Sequence, residues 1–168
     1  KTVDFIRTIN GQTIEPKITN LKWYNAAAVI KDTLNVLGFA LRKGLCKLVS
    51  NLDESIHLYG DSRLLVQLIT NLVLNGIEAC KPGGGTITVT LTSDEDEFAE
   101  ITVEDTGCGI PAEILSRIFD PMFTNIPYGE GTGLGLNIIH DLVKEFGGAI
   151  SVSSQKGSTK FIIKLPLV

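Results

Sequence analysis

The chain has 168 residues, a length that predicts one globular domain with a sizeable core. Apolar residues make up 43% of the sequence and charged residues 20%, which excludes a disordered or low-complexity chain. The chain contains 15 Lys and Arg and 19 Asp and Glu, which gives a net charge of −4. Binding to nucleic acid is therefore not expected. Any anion that binds must therefore be held locally.

The cysteine and hydropathy patterns favour a soluble, reduced protein. Cys46, Cys80 and Cys108 are odd in number and contain no CxxC pair, which predicts free thiols and a cytoplasmic setting. The apolar run from Ala26 to Ile30 is far shorter than the ~18 to 20 residues of a membrane span. Because the chain begins with Lys, we interpret it as a fragment of a longer protein that could itself be membrane-anchored.

The sequence pattern in the first third of the chain predicts a lead-in, a helix and two short strands. Residues 1–20 are polar and irregular, and Gly11 and Pro16 would break any long helix, so we interpret this segment as a lead-in or as the tail of a preceding element. Helix formers with helically spaced apolar residues predict one helix over 25–43, with Gly44 as its C-cap. Short strands are predicted at 46–50 and 55–59.

The most regular segment is a second helix, predicted from about Ser62 to Cys80. Gly60 is expected to end the preceding strand, and Asp61 is a candidate N-cap. Its apolar residues form one core-facing stripe, at positions 65, 68, 69, 72, 73, 77 and 80. Another face of the helix carries polar side chains: Gln67, Asn71, Asn75 and Glu78.

The second half of the chain is dominated by hairpins. Alternating residues predict strands at 86–91 and 98–103, and a second pair at 150–153 and 159–165. Between these hairpins a helix is predicted over 134–146, ended by two glycines. The fold class is therefore α/β, a two-layer sandwich of a mixed, largely antiparallel sheet with helices packed on one face.

Four motifs follow one another along the chain: Asn71-x-x-x-Asn75; Asp105-Thr106-Gly107-Cys108-Gly109-Ile110; Phe119-Asp120-Pro121-Met122-Phe123; and Gly129-Glu130-Gly131-Thr132-Gly133-Leu134-Gly135-Leu136. Together they resemble the N, G1, F and G2 boxes of the sensor histidine kinase ATP-binding domain. That domain has the Bergerat fold, shared with gyrase, mismatch-repair and chaperone ATPases. One such motif alone would be weak, whereas four in order within a matching context are specific.

The resemblance covers about residues 22–166 and implies a function. It implies binding of MgATP and donation of the γ-phosphate to a histidine on a dimerisation domain absent from this chain, in two-component signal transduction. A response regulator receiver domain would be the further partner, and the full-length protein would be a homodimer. Residues 1–20 would then end a preceding dimerisation domain, and 21–168 would form the ATP-binding domain. Contacts to ATP are implied for Asn71, Asn75, Asp105, Gly107, Gly109, Ile110, Gly131, Thr132, Gly133, Leu134, Gly135, Leu136 and Thr159.

Elementary chemistry supports two of these assignments. An asparagine amide oxygen is a hard, neutral ligand, and Mg²⁺ on a polyphosphate needs only one or two protein oxygens. Asn75 is therefore the candidate metal ligand, with Asn71 as a possible second one on the same helical face. The Asp105 carboxylate only accepts hydrogen bonds, which fits the amino group of adenine and rejects the carbonyl of guanine.

The glycine-rich stretch predicts a phosphate-binding lid. Backbone amides between Gly129 and Gly135 can converge on phosphate, and the following helix adds its N-terminal N–H groups. Phe119, Met122 and Phe123 are either core residues or an anchor for one end of this lid.

Several positions depart from the family pattern, and two histidines could be mistaken for a phosphoacceptor site. The lid lysine of many relatives is missing, since Asn125 and Ile126 follow Thr124. Glu78 occupies a position that is often basic, where it either hydrogen-bonds a lid group or faces solvent. His140 and His57 lack the surroundings of a phosphoacceptor, so the domain alone should not label itself.

Two alternatives to the kinase remain. An ATP-driven conformational switch or slow ATPase is one, but hydrolases of this fold carry a glutamate where this chain has Asn71, and an amide cannot accept a proton at neutral pH. A binding module that uses the same nucleotide fold, either a pseudo-kinase or a relative of the serine-kinase anti-sigma type, is the other.

Overall fold

A computed structural model describes residues 7–9, 12–14, 20–95, 97–120 and 133–167. The helices are α1 (Ala26–Val36), α2 (Gly38–Lys43), α3 (Ser62–Ala79), α4 (Ala112–Leu115) and α5 (Gly133–Glu145). The strands are β1 (Arg7–Ile9), β2 (Gln12–Ile14), β3 (Lys22–Asn25), β4 (Cys46–Leu52), β5 (His57–Gly60), β6 (Gly85–Asp94), β7 (Phe98–Asp105), β8 (Ala149–Gln155) and β9 (Ser158–Pro166).

The main sheet has five strands in the order β4-β6-β7-β9-β8. β4 and β6 are parallel, and the remaining pairs are antiparallel, so the predicted mixed, largely antiparallel sheet is confirmed. The two predicted hairpins are β6–β7 and β8–β9. Alternate residues of the central strands are buried, because one face of the sheet is covered by helices and the other faces solvent.

Helix α3 is the centre of the helical layer. Its predicted apolar stripe is buried, and Leu65, Leu68 and Ile69 are fully inaccessible to solvent. The helix packs on β6 and β7, while α1 and α5 pack against it. Asp61 is the N-cap as predicted, since its Oδ1 accepts a hydrogen bond of 3.0 Å from the Arg63 amide.

The prediction of one helix over 25–43 is wrong in two respects. Asn25 is the last residue of β3 and the N-cap of α1, because its Oδ1 accepts from the Ala28 amide at 2.9 Å. The helix is also interrupted at Leu37, which is followed by Gly38, a poor helix former. The interruption leaves Leu34, Leu37 and Leu41 all buried in the core, and Gly44 caps α2 as expected.

A second small sheet, β3 paired with β5, was missed. The four residues of β3 lead directly into α1, so they show no independent strand pattern. The predicted strand at 55–59 begins later, at His57, because the Asp53 carboxylate accepts from both the amide and the hydroxyl of Ser55 and forms a turn there. Gly60 ends this strand as its last residue.

Two short strands that the sequence pattern did not reveal lie within residues 1–20. β1 and β2 pair with each other as an antiparallel two-stranded sheet. The division of the chain at residue 20 stays a prediction.

The cap of α3 gives a stability prediction. Asp61 is buried, and its hydrogen bonds to Arg63 hold the pKa of the carboxyl below its usual value of 3.8. Asp61→Ala should lower the free energy of unfolding by about 1 to 2 kcal/mol at pH 7, in the range of lost N-caps. Asp61→Asn keeps an acceptor for the Arg63 amide and should lose less. Urea unfolding measures both.

The pH dependence of this effect has a defined sign. Because the folded pKa is depressed, the charge contributes stability above the unfolded pKa, and that contribution is lost as the pH falls through the folded value. The difference between the parent and Asp61→Asn should therefore shrink below about pH 4. A difference that stays constant from pH 7 to pH 3 would contradict the role given to the charge.

Candidate functional site

Asp105, at the end of β7, belongs to a row of residues that crosses the main sheet. Its register partner on β6 is Ile87, and its partner on β9 is Thr159. Thr159 in turn pairs with Ser154 on β8. Residues directly opposite one another on paired strands project from the same face of the sheet. Asp105, Thr159 and Ser154, here called the polar row, therefore lie side by side.

Helix α3 approaches the polar row closely at Gly76. A Cβ atom at this position would lie 2.8 Å from Ile87 Cδ1 and 3.3 Å from Asp105 Cβ. Glycine therefore allows the helix to cover Asp105. The sequence pattern alone did not single out Gly76, although a glycine inside the apolar stripe of a helix signals a close approach.

The Asp105 carboxylate is largely removed from water. The residue is 5% exposed, and its Oδ1 accepts a hydrogen bond of 2.9 Å from the Gly107 amide. Burial raises the pKa of Asp105 to about 6, against the lowering effect of that hydrogen bond. A desolvated acceptor at this position is stabilised by a ligand that brings a hydrogen-bond donor.

The two glycines predicted after Asp105 are both required by the backbone. A Cβ on Gly107 would lie 2.5 Å from the carbonyl oxygen of Ala79, so the loop passes directly beneath the end of α3. Gly109 has φ = +81°, which side chains rarely adopt, and a Cβ there would lie 2.5 Å from the Gln155 carbonyl oxygen. The Cys108 amide donates to Ala79 O at 3.0 Å. The loop is thus fixed against α3 and β8.

Ile110 is connected to Thr159 through Ser154. The Ile110 amide donates to Ser154 Oγ at 2.8 Å, and Ser154 Oγ lies 2.7 Å from Thr159 Oγ1. Thr159 is buried, as Asp105 is. Ser154 was missed from the sequence, because one serine among three in β8 carries no signal until the register of the strand is known.

The two asparagines of α3 lie one turn apart and are half-buried. Asn75 immediately precedes Gly76, the position at which α3 comes close to Asp105. Glu78 is exposed and its Oε2 lies 2.8 Å from Lys81 Nζ. Glu78 therefore faces solvent, with Lys81 as a partner. The alternative, a hydrogen bond to a lid group, involves residues outside the described ranges and stays a prediction.

The aromatic motif is described only at its start. Phe119 is half-buried, its ring stacks on His140 at 5.2 Å, and it meets Phe161 edge-on at 6.4 Å. Phe119 is thus part of the core between α5 and β9. His140 is a boundary residue as expected, with Nδ1 3.4 Å from Asp141 Oδ1.

The predicted lid falls mainly outside the described residues. This holds for Met122, Phe123, Gly131 and Thr132, so their predicted roles stay predictions. Gly133, Leu134 and Gly135 form the start of α5, and Leu136 is half-buried against the core. The predicted helix start near Leu134 is therefore confirmed.

Membrane-spanning helices and clustered metal ligands are both absent from the described ranges. No helix within them combines the length and apolar character that crossing a membrane requires. No group of three His, Cys, Asp or Glu side chains in those ranges is arranged to hold a metal ion. All three cysteines are free, with Cys46 and Cys80 buried and Cys108 exposed.

The fold and the site define a two-layer α/β domain with a desolvated carboxylate beside a glycine-rich loop, under the central helix. The model of the family described as histidine kinase-, DNA gyrase B- and HSP90-like ATPases matches residues 60–168. The chain belongs to this family, and the resemblance noted from its motifs is confirmed.

Curated relatives include sensor kinases. The chain is 33% identical over 150 residues to the two-component sensor PprA of Pseudomonas aeruginosa, which covers 86% of this chain and 16% of PprA. It is 44% identical over 117 residues to the sensor histidine kinase ZraS of Escherichia coli K12, covering 68% of this chain and 24% of ZraS. The chain thus spans only about a quarter or less of the length of these two relatives.

Solved structures show the same fold. The nucleotide-free catalytic domain of histidine kinase ThkA superposes with a TM-score of 0.79 at 27% identity, covering 88% of this chain and 96% of that domain. The mycobacterial sensor histidine kinase MprB gives 0.75 at 26% identity, covering 88% and 97%. ThkA in complex with the response regulator TrrA gives 0.75 at 25% identity, covering 93% and 43%.

The desolvation of Asp105 gives a second stability prediction. Because its folded pKa lies above its usual value of 3.8, ionisation is less favourable in the folded chain, and stability is lost as the pH rises from about 4 to about 6. Asp105→Asn keeps an acceptor for the Gly107 amide but removes this cost. The variant should be more stable than the parent by about 2 to 3 kcal/mol above pH 6, because each tenfold change in proton affinity is worth ~1.4 kcal/mol.

Urea unfolding between pH 4 and pH 8 measures this difference. Glu100→Gln, on the same strand but more exposed, is the matched control and should show no such gain. A parent as stable as Asp105→Asn at pH 7 would contradict the assigned desolvation.

Proposed function

We propose that this chain binds MgATP and donates the γ-phosphate to a histidine on a dimerisation domain outside the chain, in two-component signal transduction. The observation that carries the proposal is the buried Asp105 carboxylate beside Thr159, in a chain that belongs to this ATPase family. The relatives named as a two-component sensor and as a sensor histidine kinase support it. The activity belongs in the cytoplasm, whether or not the full-length protein is anchored to a membrane.

Recognition of adenine follows from the chemistry of Asp105. The carboxylate is desolvated and receives its hydrogen bond from Gly107 at Oδ1. The amino group of adenine supplies a donor, whereas the guanine carbonyl would bring a second acceptor against a buried carboxylate. The Gly107–Ile110 loop forms the adjoining wall.

The residues present fit a magnesium-bound triphosphate. Asn75, with Asn71 a turn away, presents a neutral amide oxygen of the kind that Mg²⁺ accepts alongside phosphate and water. When bound, the ion would neutralise charge on the phosphates. The amides at the N-terminus of α5, which begins at Gly133, are suited to the same phosphates. The predicted contacts of Gly131 and Thr132 complete this part of the proposal.

Transfer is favoured over hydrolysis by the residues of α3. Glu78 is the one carboxylate of this helix, and it pairs with Lys81. It also lies seven residues beyond Asn71, or about 10 Å along the axis at ~1.5 Å per residue. The face of α3 at Asn71 therefore carries no general base for water. Phosphoryl transfer needs mainly positioning and charge neutralisation, which the remaining groups supply.

The accepting histidine should come from another domain. His140 is stacked on Phe119, so its ring is engaged in packing. His57 lies on β5, in the small sheet with β3 rather than in a helix. The relatives are several times longer than this chain, which leaves room for a dimerisation domain in a homodimeric full-length protein. The solved complex of ThkA with its regulator supports a receiver domain as the further partner.

The test combines binding and transfer. ATP and GTP are titrated into the parent and into Asp105→Ala, and label from γ-labelled ATP is followed onto a supplied histidine-bearing dimerisation domain. The parent should prefer ATP and label the histidine while it releases phosphate slowly. Asp105→Ala should lose most of the preference, because a charged hydrogen bond is worth about 10- to 100-fold.

Further variants separate the alternatives. Asn75→Ala should weaken ATP binding mainly when Mg²⁺ is present, whereas Gln67→Ala, two turns earlier, should not. Equal affinity for ATP and GTP in the parent would contradict nucleotide recognition by Asp105. Phosphate release at an ordinary enzyme rate of about 10 s⁻¹, lost in Glu78→Gln, would instead make the protein an ATPase.

A further inference from the structure

Ser154 makes a set of hydrogen bonds that neither the family motifs nor the proposed chemistry uses. Its Oγ accepts from the Ile110 amide at 2.8 Å and lies 2.7 Å from Thr159 Oγ1. The carbonyl oxygen of Ser158 is a third neighbour, at 3.5 Å. Ser154 is half-buried at the end of the polar row, on the far side of Thr159 from Asp105.

These distances allow two arrangements of the hydroxyl protons. A hydroxyl group donates one hydrogen bond, and Ser154 Oγ already accepts one from Ile110. Its own proton can go to Thr159 Oγ1 at 2.7 Å, the usual O–H···O length, or to Ser158 O at 3.5 Å, the far limit of such contacts. Either hydroxyl can be the donor of the 2.7 Å contact, and Thr159 as donor would leave the Ser154 proton for Ser158 O. In the other arrangement, on which our proposal is built, Ser154 donates to Thr159. The proton of Thr159 is then directed away from Ser154.

This arrangement places a donor beside an acceptor. Thr159 presents its O–H next to the Asp105 carboxylate, in the adjacent position of the sheet. The Watson–Crick edge of adenine carries an amino donor beside the N1 acceptor, which is the complement of this pair. Guanine carries the reverse order, a carbonyl acceptor beside an N1–H donor.

We propose that Ser154 is a positioning residue for nucleotide recognition. It fixes the polarity of the Thr159 hydroxyl, so that Thr159 donates toward N1 of the base, directly or through a bridging water. The same oxygen ties Ile110, and with it the glycine loop, to β8. This inference rests on the proposed function, because it assigns a partner to a residue of the same adenine site.

A pair of nucleotides isolates this effect. 1-Deaza-ATP replaces N1 of adenine with C–H and keeps the amino group and the phosphates. The parent should bind ATP up to about 10-fold more tightly than 1-deaza-ATP, the range of one neutral hydrogen bond. In Ser154→Ala the Thr159 hydroxyl is free to rotate, and the ratio of the two affinities should fall to about 1 to 2.

Matched variants separate positioning from folding. Ser153→Ala, the exposed neighbour on the other face of β8, should keep the parent ratio. Ser154→Thr keeps the hydroxyl on a residue suited to a strand and should restore the ratio. Ser154→Cys has nearly the shape of serine but a weak donor, so it should lose the ratio even if Ser154→Ala fails to fold. Thermal melts in the absence of nucleotide monitor folding for each variant.

The outcomes distinguish this inference from the proposed function. A parent that binds ATP and GTP equally refutes the adenine site itself. A parent that prefers ATP over GTP but binds 1-deaza-ATP as tightly as ATP overturns only the inference. The inference is also overturned if Ser154→Cys keeps the parent ratio of ATP affinity to 1-deaza-ATP affinity. It is likewise overturned if this ratio falls as far in Ser153→Ala as in Ser154→Ala.

Discussion

The burial of one carboxylate is the constraint on which the rest of the site depends. Asp105 stands at the end of a central strand, with α3 above it and the backbone of Gly107 as its hydrogen-bond donor. An ionised carboxylate in such surroundings is costly, and the raised pKa near 6 expresses that cost. A ligand that donates a hydrogen bond to Asp105 lowers this cost. The ligand-free domain is therefore already suited to ligands that carry a hydrogen-bond donor at this position.

The main sheet divides into an apolar part and a polar part along the same row. Leu48 on β4 and Ile87 on β6 continue the row away from Asp105, and Ile87 is fully buried. The apolar part contributes to the core beneath α3, while the polar part, Asp105, Thr159 and Ser154, forms the site. The core and the site therefore lie on the same face of the main sheet, so the packing of the sheet determines the position of the Asp105 carboxylate. Glycine at position 76 lets a single helix serve both parts.

Local pattern predicted most of the elements, because hairpins and amphipathic helices show their period within a few residues. The stripe of α3 and the hairpins β6–β7 and β8–β9 were found in this way. The family motifs named Asp105 and the glycines. Residues outside the motifs that act through distant partners were missed. Ser154 is 44 positions from its partner Ile110, and Gly76 comes close to Asp105 only after the sheet has formed.

The sequence pattern failed to predict strand β3 and the interruption of the first helix for a different reason. Both features depend on contacts with residues distant in the sequence. Strand β3 pairs with β5, and Leu37 is buried in the core at the point where the helix is interrupted. Propensity alone favours one helix through this region, and tertiary packing overrides it. The glycine-rich lid between Gly129 and Gly135 stays a prediction except for the start of α5.

The titration of Asp105 tests the central claim most directly. Carboxyl ¹³C resonances are followed from pH 3 to pH 9, and the Asp105 signal is identified by its loss in Asp105→Asn. The free protein should show this carboxyl titrating near pH 6, and saturating ADP should move the midpoint downward, because a donor on the carboxylate favours its charged form. Titration near the usual value of 3.8 in the free protein, unmoved by ADP, would contradict the account.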